Sequence, residues 1–247
     1  MKSFFALYVK ELKANNLLFL FVLLLIAGLN AYGLIRIEGV LYFEEAFKQV
    51  FIWMTAAIFL LIFSLPFLLA YTFNAEWKSE THYQMSALPV SRSKVILAKV
   101  AAVASVGFVG NGIIIGSVYL LMLAILPGQI LSFEGMEGTL FLVLVFCGGL
   151  GLATYMVFIF GLVIGMEGAK YLVKRYRGLT AVVFFLVAVF LYIGFFQQMT
   201  MALDFLGQIS ISPTIGPIEL SSFVYTILVG IVFMIIGLVV YEKRAEI

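Results

Sequence analysis

Few side chains in this sequence could perform chemistry, and those that could stand apart from one another. His82 is the only histidine and Cys147 the only cysteine, and no cluster of carboxylates accompanies either. A metal site needs several such ligands, and a nucleophile needs an activating neighbour. The sequence also lacks a G-x-x-x-x-G-K-S/T phosphate loop and a G-x-S-x-G nucleophile pattern. We therefore predict no catalytic residue, no metal site and no cofactor bound by this chain, and we do not expect it to be an enzyme.

The most polar passage runs from Glu76 to Lys99, EWKSETHYQMSALPVSRSKVILAK, between two long apolar runs. Its first part, residues 76–88, can form about three helical turns before Pro89 breaks the helix. We predict that the next helix begins near Arg92 and continues into the membrane. A polar helix fixed directly to two membrane spans is suited to transmit force from a soluble partner.

The elements that would hold this passage are six apolar runs without a single charged residue or histidine. A helix needs about 20 residues to cross the ~30 Å hydrocarbon core of a bilayer. One charge at the centre of a span costs about 2.5–3.5 kcal/mol, so six charge-free runs predict six transmembrane helices. The runs do not alternate in polarity, which argues against a closed barrel. They cover residues 17–35, 51–73, 100–126, 139–165, 179–196 and 222–241.

The composition agrees with this interpretation. Hydrophobic residues make up 64% of the chain and charged residues 11%, whereas a soluble domain has about 25% charged residues. We predict an all-α polytopic membrane protein in which residues 1–247 form a single domain.

The basic residues predict the orientation of the six spans. When both termini lie on one side, 13 of the 15 lysines and arginines fall on that side and only Arg36 and Lys48 on the other. By the positive-inside rule, both termini of this multi-pass protein are then cytoplasmic, in the plasma membrane. Because the basic residues have this role, we do not expect a nucleic acid partner.

Residues 1–16 predict an amphipathic helix that lies in the membrane interface. On a helical wheel, Phe4, Phe5 and Tyr8 share an apolar arc, and Lys10 and Lys13 lie on the adjoining polar arc. The aromatic arc is expected to face lipid. A basic leader that only sets topology and an elbow helix that also contacts a partner both fit this pattern.

Three further features could serve either packing or partners. The spacings Gly112-x-x-x-Gly116 and Gly161-x-x-x-Gly165 allow close helix contacts, within one chain or between subunits. The basic segment 166–178 could orient the spans and meet anionic lipid, or could contact a soluble subunit. Residues 197–221, broken by glycines and prolines, predict a short interfacial or re-entrant helical segment between the fifth and sixth spans.

Two passages resemble the permease subunits of type 2 ATP-binding-cassette (ABC) transporters. One is KELK, Lys10–Lys13, in the helix before the first span. The other is SALPVSRSKVILAK, Ser86–Lys99, where family members typically have LPVSR followed by ILGK. The triplet SET at residues 79–81 departs from the family, which often has a glycine followed by threonine there.

The resemblance implies the membrane subunit of an exporter that moves a hydrophobic or amphipathic substrate, such as a peptide, a drug or a lipid-like molecule. Two permeases, identical or related, would pair in the membrane, and each would bind one cytoplasmic ATPase subunit that holds ATP and Mg²⁺. Residues 76–88 would form the coupling helix that docks on the ATPase. Its contact residues would be Glu76, Trp77, Glu80, Thr81, Tyr83, Gln84, Ser86 and Leu88.

The same resemblance implies a second, smaller ATPase contact at Lys174, Arg175 and Tyr176. Two other functions remain open, namely a self-sufficient secondary transporter or channel and a membrane immunity factor that transports nothing. The spans lack the carboxylates that ion-coupled transporters usually need, which favours an energy source outside this chain.

Overall fold

Helices dominate the fold. The computed structural model describes residues 2–36, 43–78, 91–125, 136–173, 176–209 and 217–244. Within these ranges the chain forms seven α-helices, six of them long and apolar enough to cross a membrane. They are α1 Lys2–Ala14, α2 Asn16–Ile35, α3 Phe43–Lys78, α4 Arg92–Ile125, α5 Met136–Ala169, α6 Arg177–Ala202 and α7 Leu220–Arg244. The predicted all-α polytopic architecture is confirmed.

Three of the spans are much longer than a bilayer requires. Helix α3 has 36 residues, and α4 and α5 have 34 each. At 1.5 Å per residue each is about 50 Å long, compared with a hydrocarbon core of about 30 Å. A helix that leaves the hydrocarbon can continue into polar sequence, as α4 does by beginning at Arg92, close to its predicted start.

The main core lies where α2, α3, α4 and α5 meet. One residue from each helix illustrates it, since Ile26, Leu65, Val103 and Ile164 are fully buried in the same cluster. Helix α6 lies at the periphery, where Ala181 and Ala188 are its buried residues. Between Leu179 and Phe195 its exposed side chains are all apolar, which suits a lipid environment.

Helices α5 and α7 approach so closely that their backbones touch through glycines. A Cβ atom added at Gly161 would lie within 3.0 Å of Gly230 backbone atoms, and one added at Gly237 would collide with the Ile164 carbonyl. Gly165 instead faces the ring of Phe184 on α6. The Gly161 spacing therefore serves packing within the chain.

The Gly112-x-x-x-Gly116 spacing on α4 differs in that no described helix lies close to it. Apart from the adjoining backbone of α4 itself, no atom of the described structure lies within 4 Å of a Cβ added at Gly112 or Gly116. Neighbouring Gly107 and Gly110 do pack, against Leu65 and Leu61 of α3. The Gly112 and Gly116 pair thus makes no close helix contact within the part of the chain that is described.

Helix α3 continues through Pro66 as a single element. Proline has no N–H, so the carbonyl of Ile62, four residues earlier, loses its helical partner. The Tyr155 hydroxyl of α5 donates a hydrogen bond to that carbonyl at 2.7 Å. A side chain of span four therefore replaces the hydrogen bond that proline removes from span two.

The segment between α6 and α7 differs from the short interfacial or re-entrant helical segment predicted for it. Its described residues form one 3-10 turn, Asp204–Leu206, and two short antiparallel strands, β1 Gln208–Ile209 and β2 Ile218–Glu219. Gly207 between the turn and β1 has φ of 74°, which ends the helical path at a residue without a Cβ. Among the residues described between Ala202 and Leu220, helical structure is limited to the single 3-10 turn. Residues 210–216 lie outside the described ranges.

Candidate functional site

The polar passage predicted to couple this chain to a partner is connected at each end to a membrane helix. Helix α3 ends at Lys78 and so includes Glu76 and Trp77, and α4 begins at Arg92. The predicted contact residues Glu80, Thr81, Tyr83, Gln84, Ser86 and Leu88 lie outside the described residues, so a separate helix there stays a prediction. Any displacement of residues 79–90 would reach spans two and three directly, because no other described element intervenes.

A buried ion pair lies near the end of α3 and the beginning of α4. Lys99 of α4 donates to the Glu11 carboxylate of α1 at 3.0 Å, and both side chains are almost completely buried, at 1% and 4% exposure. The Lys99 ammonium also donates to the backbone carbonyl of Thr72 in α3 at 3.2 Å. It lies 5.9 Å from the centre of the Phe73 ring. One side chain thus joins α1, α3 and α4, and we call Glu11, Thr72 and Lys99 the three-helix junction.

Helix α1 packs against this junction through a face that differs from the predicted one. Leu7 and Glu11 are its most buried residues, and Leu7 forms a small cluster with Val95 and Ala98 of α4. The Tyr8 hydroxyl hydrogen-bonds to the Ser105 hydroxyl at 2.8 Å. Tyr8 therefore contacts α4 instead of facing lipid as predicted.

The other residues predicted for the interfacial helix have exposed side chains. Phe4 is 36% and Phe5 64% exposed, and Lys10 and Lys13 are exposed as well. The protein-facing arc is rotated relative to the aromatic arc because the ion pair makes Glu11, a polar residue, the centre of the contact. The helical wheel of α1 alone could not reveal this, since it treats every carboxylate as solvent-facing.

A second polar contact connects α4 to the last span. The Ser93 hydroxyl lies 3.2 Å from the Glu242 carboxylate, and Arg92 donates to the Glu242 backbone carbonyl at 3.5 Å. Glu242 lies near the end of α7, so the beginning of span three is attached to the end of span six. Together with the three-helix junction, this contact gathers four helices at one end of the bundle, which we call the proximal end.

The basic segment after α5 is described only in part. Lys174 and Arg175 lie outside the described residues, whereas Tyr176 is 54% exposed just before α6. The preceding turn is attached to the bundle, because the Tyr171 ring packs edge-on against Tyr241 of α7 at 4.9 Å. Burial raises the pKa of the Tyr171 phenol, and its neighbour Tyr241 raises it further. The phenol therefore stays protonated, as its packed position requires.

Within the described ranges, no group of three or more histidine, cysteine, aspartate or glutamate residues lies close enough to hold a metal ion. The polar groups described at the proximal end connect helices through an ion pair and hydrogen bonds. What they can do is make α1, α3, α4 and α7 respond together when residues 79–90 are displaced.

Comparison with known families identifies this architecture. The model of the ABC-2 family transporter proteins matches residues 9–174, about two-thirds of the chain. The chain belongs to the ABC-2 transporter family. The match includes the three-helix junction and the whole polar passage, and it ends shortly before α6. No curated protein and no solved structure matches the chain.

Membership of the ABC-2 family agrees with the resemblance to type 2 ABC permeases. The three-helix junction, however, is not predicted by the sequence analysis. In the sequence, Glu11 and Lys99 belong to the two separate passages that resemble the family, and nothing in either passage indicates that they pair. A signal of their burial was available, since Glu11 lies one helical turn after the apolar Leu7 and Lys99 directly precedes a charge-free run. Recognising a pair across 88 positions of an ABC-2 permease still requires the fold.

Proposed function

We propose that this chain is the permease subunit of an ABC exporter, powered by a separate cytoplasmic ATPase subunit that binds ATP and Mg²⁺. Residues 76–88 act as its coupling helix, and both termini lie in the cytoplasm, with the spans in the plasma membrane. Two permeases pair, and each carries one ATPase. The chain itself is not an enzyme.

The observation that most supports the proposed coupling is the buried three-helix junction, which lies near the points where α3 and α4 meet the coupling segment. An ion pair taken out of water loses hydration, and its attraction offsets that loss only in a well-fixed geometry. Here the Lys99 ammonium has both the Glu11 carboxylate and the Thr72 carbonyl as acceptors. A junction of this kind stiffens the place where force from an ATPase would enter the membrane domain.

The proposed motion follows from the connections. Closure of the ATPases displaces residues 79–90. This displacement is transmitted to α3 through Lys78 and to α4 through Arg92. Lys99 keeps α3, α4 and α1 together, and the contact between Ser93 and Glu242 connects α7 to α4. The basic segment at Lys174, Arg175 and Tyr176 supplies a smaller second contact with the ATPase.

The cargo is proposed to be hydrophobic or amphipathic. The six charge-free runs and the exposed apolar side chains of α6 between Leu179 and Phe195 offer no fixed charge to a polyanionic substrate. Burying an isolated ionised group in such surroundings is costly. Peptides with apolar faces, hydrophobic drugs and lipid-like molecules fit this environment.

The coupling assignment is tested by copurification and ATP hydrolysis. Tagged chain is solubilised gently, and proteins that copurify in stoichiometric amounts are identified by mass spectrometry and examined for a phosphate-binding loop. Interface hot spots are worth more than about 2 kcal/mol, so Glu80→Lys or Tyr83→Ala should reduce the copurifying ATPase about tenfold or more. The ATP hydrolysis of the complex should fall in parallel.

Asp204→Lys provides a matched control, because Asp204 is exposed in the 3-10 turn far along the chain from the coupling segment. This variant makes the same change of charge as Glu80→Lys and should leave ATPase recovery unchanged. Full recovery and full hydrolysis in Glu80→Lys and Tyr83→Ala would contradict the assignment. A chain that drives flux in liposomes from an ion gradient alone would contradict the exporter proposal as a whole.

A further inference from the structure

A cavity lies between α3, α4 and α5, further along α4 than the three-helix junction. Its volume is about 300 Å³, at the lower end of the range for pockets that hold small molecules. All three helices contribute to its wall, and none of its lining side chains is charged. Two of the lining residues can form strong side-chain hydrogen bonds, namely Asn111 of α4 and Tyr155 of α5. We call it the Asn111 cavity.

Tyr155 already has a partner within the wall of this cavity. Its hydroxyl donates to the Ile62 carbonyl of α3 at 2.7 Å, and Ile62 also lines the cavity. This hydrogen bond fixes α5 against α3. Two further lining residues, Ile114 and Leu152, are buried in the main core. The wall is therefore preformed, and the Asn111 amide is the side-chain group left to pair with a ligand.

The Asn111 amide is both unpaired and accessible. It has no hydrogen-bond partner among the residues that the structure describes. Within those residues, the one polar side-chain atom that is unpaired and closed off from its surroundings belongs to Thr154. Asn111 is only partly buried, so its amide has accessible surface that the Thr154 hydroxyl lacks. A molecule in the cavity can therefore reach the Asn111 amide.

The position of Asn111 on α4 agrees with this role. The α4 residues that line the cavity are spaced three, four and seven positions from the first, which places them on one helical face. They are Asn111, Ile114, Ile115 and Val118. Ile114 is 4% exposed, whereas Gly112 is exposed. Asn111 thus lies where the packed face of α4 meets its open face, at the edge of the cavity.

An unpaired amide is unusual at this depth in a membrane span. Asn111 lies near the middle of α4, in an apolar stretch. Polar side chains in membrane helices normally form hydrogen bonds, because an unsatisfied polar group in hydrocarbon is costly. Asn30 of α2 follows this rule by donating to the Ile26 carbonyl at 2.8 Å. A ligand with a hydrogen-bonding group would remove the cost at Asn111.

We infer that the Asn111 cavity binds a small neutral molecule with one hydroxyl or amide group for Asn111 and an apolar body for the surrounding aliphatic side chains. The asparagine amide both donates and accepts, so a hydroxyl or an amide, which does the same, complements it best. A charged ligand is disfavoured because the lining residues provide no opposite charge.

The inference goes beyond the proposed function, since such binding needs no ATPase. Failure of the coupling test would leave the cavity site standing, and an empty cavity would leave the coupling assignment standing. The experiment therefore uses the full chain, purified without an ATPase, in phosphatidylcholine nanodiscs. The probe is octanol that carries a photoactivatable diazirine, and labelled residues are mapped by mass spectrometry. We expect labelling of cavity residues on α3, α4 and α5.

Competition by two related compounds tests the hydrogen bond in the wild-type chain. Octanol and octane share an apolar body, and only octanol has a hydroxyl. At equal concentrations in the membrane, octanol should displace the probe about 2- to 10-fold more effectively, the gain expected for one hydrogen bond. Labelling of Phe190, which is 76% exposed on α6, reports unspecific partitioning and should not respond to either competitor.

Two variants at Asn111 test the residue itself. Asn111→Leu removes the amide at similar size, so it should lower cavity labelling about 2- to 10-fold and abolish the preference for octanol over octane. Asn111→Gln keeps an amide and should keep that preference. A preference for octanol that persists in Asn111→Leu would overturn the assignment of Asn111.

Filling the cavity gives an independent test. Gly148 lines the cavity with open space beside it, so Gly148→Leu should fill the space and abolish cavity labelling. Gly149→Leu is the matched control, because Gly149 is the next residue on α5, also has open space beside it, and does not line the cavity. It should label like the wild type. Full cavity labelling in Gly148→Leu, or equal competition by octane and octanol in the wild type, would overturn the inference.

The source of the natural ligand is decided separately. A neutral hydroxyl or amide compound that copurifies with the wild type and is lost from Gly148→Leu would identify a membrane constituent. Octanol-selective labelling of a chain that copurifies with no such compound would identify a ligand supplied from outside the membrane. Both results require an accessible Asn111 amide, so both support the site.

Discussion

At the residue scale, the Glu11 and Lys99 pair should dominate the local energetics. Removing one partner of a buried ion pair leaves an uncompensated charge, which costs about 3–5 kcal/mol. We therefore expect Lys99→Met or Glu11→Leu to lower the free energy of unfolding by that amount. Denaturation of the chain in mixed detergent micelles by increasing SDS, followed by circular dichroism, measures it.

The double variant Glu11→Leu with Lys99→Met should recover most of this loss, because replacing both charges by apolar groups is often neutral. Lys13→Met is the control, since Lys13 lies on the same helix with an exposed side chain. It should change stability by less than about 0.5 kcal/mol. Single variants as stable as the wild type would mean that the pair does not hold α1 to the bundle.

Also at the residue scale, Tyr155 should stabilise the helix that Pro66 interrupts. Tyr155→Phe deletes the hydroxyl that donates to the Ile62 carbonyl, and a hydrogen bond between membrane helices is worth about 0.6–2 kcal/mol. We expect a loss of about 1 kcal/mol in the same SDS titration. Tyr71→Phe, at an exposed position of α3, should cause no comparable loss.

A double-mutant cycle separates the proline from general packing. Pro66→Ala restores an N–H that can donate to the Ile62 carbonyl within α3. In that background Tyr155→Phe should cost clearly less than it does beside Pro66. An equal cost in both backgrounds would show that Tyr155 acts through packing alone.

At the scale of elements, glycines on different helices should respond in opposite ways. Gly161→Ala places a Cβ against the Gly230 backbone, which cannot move aside as a flexible side chain could, and overpacking costs about 1–3 kcal/mol. Gly112→Ala meets open space and should be neutral or slightly stabilising, because alanine favours helix. Folded yield and unfolding in SDS compare the two, and equal effects would argue against the close α5–α7 contact.

Helix existence was predictable from the sequence, whereas helix orientation was not. The run of Phe4, Phe5 and Tyr8 indicated an amphipathic helix, and α1 is there. Its rotation depends on a lysine 88 positions away, which a local pattern cannot contain. The segment after α6 shows the same limit, because its two strands pair residues that lie about ten positions apart.

At the scale of the whole molecule, the six charge-free runs predicted the six spans because lipid imposes the same demand on every span. The runs underestimate helix length at α3 and α5, since hydropathy reports contact with hydrocarbon and not the extent of the hydrogen-bonded helix. The hydrogen bond from Tyr155 to the Ile62 carbonyl could not be predicted at all, because it joins two helices across 93 positions of the chain.

The distance in sequence between Glu11 and Lys99 also orders events during synthesis. Ribosomes add about 5–20 residues per second, so Lys99 is made roughly 4–18 s after Glu11, which precedes it by 88 positions. Until then the nascent Glu11 carboxylate lacks its buried partner, the Lys99 ammonium, and stays hydrated at the membrane surface. Docking of α1 is therefore a late step in biogenesis, completed only after two spans have been inserted and the third has started to emerge.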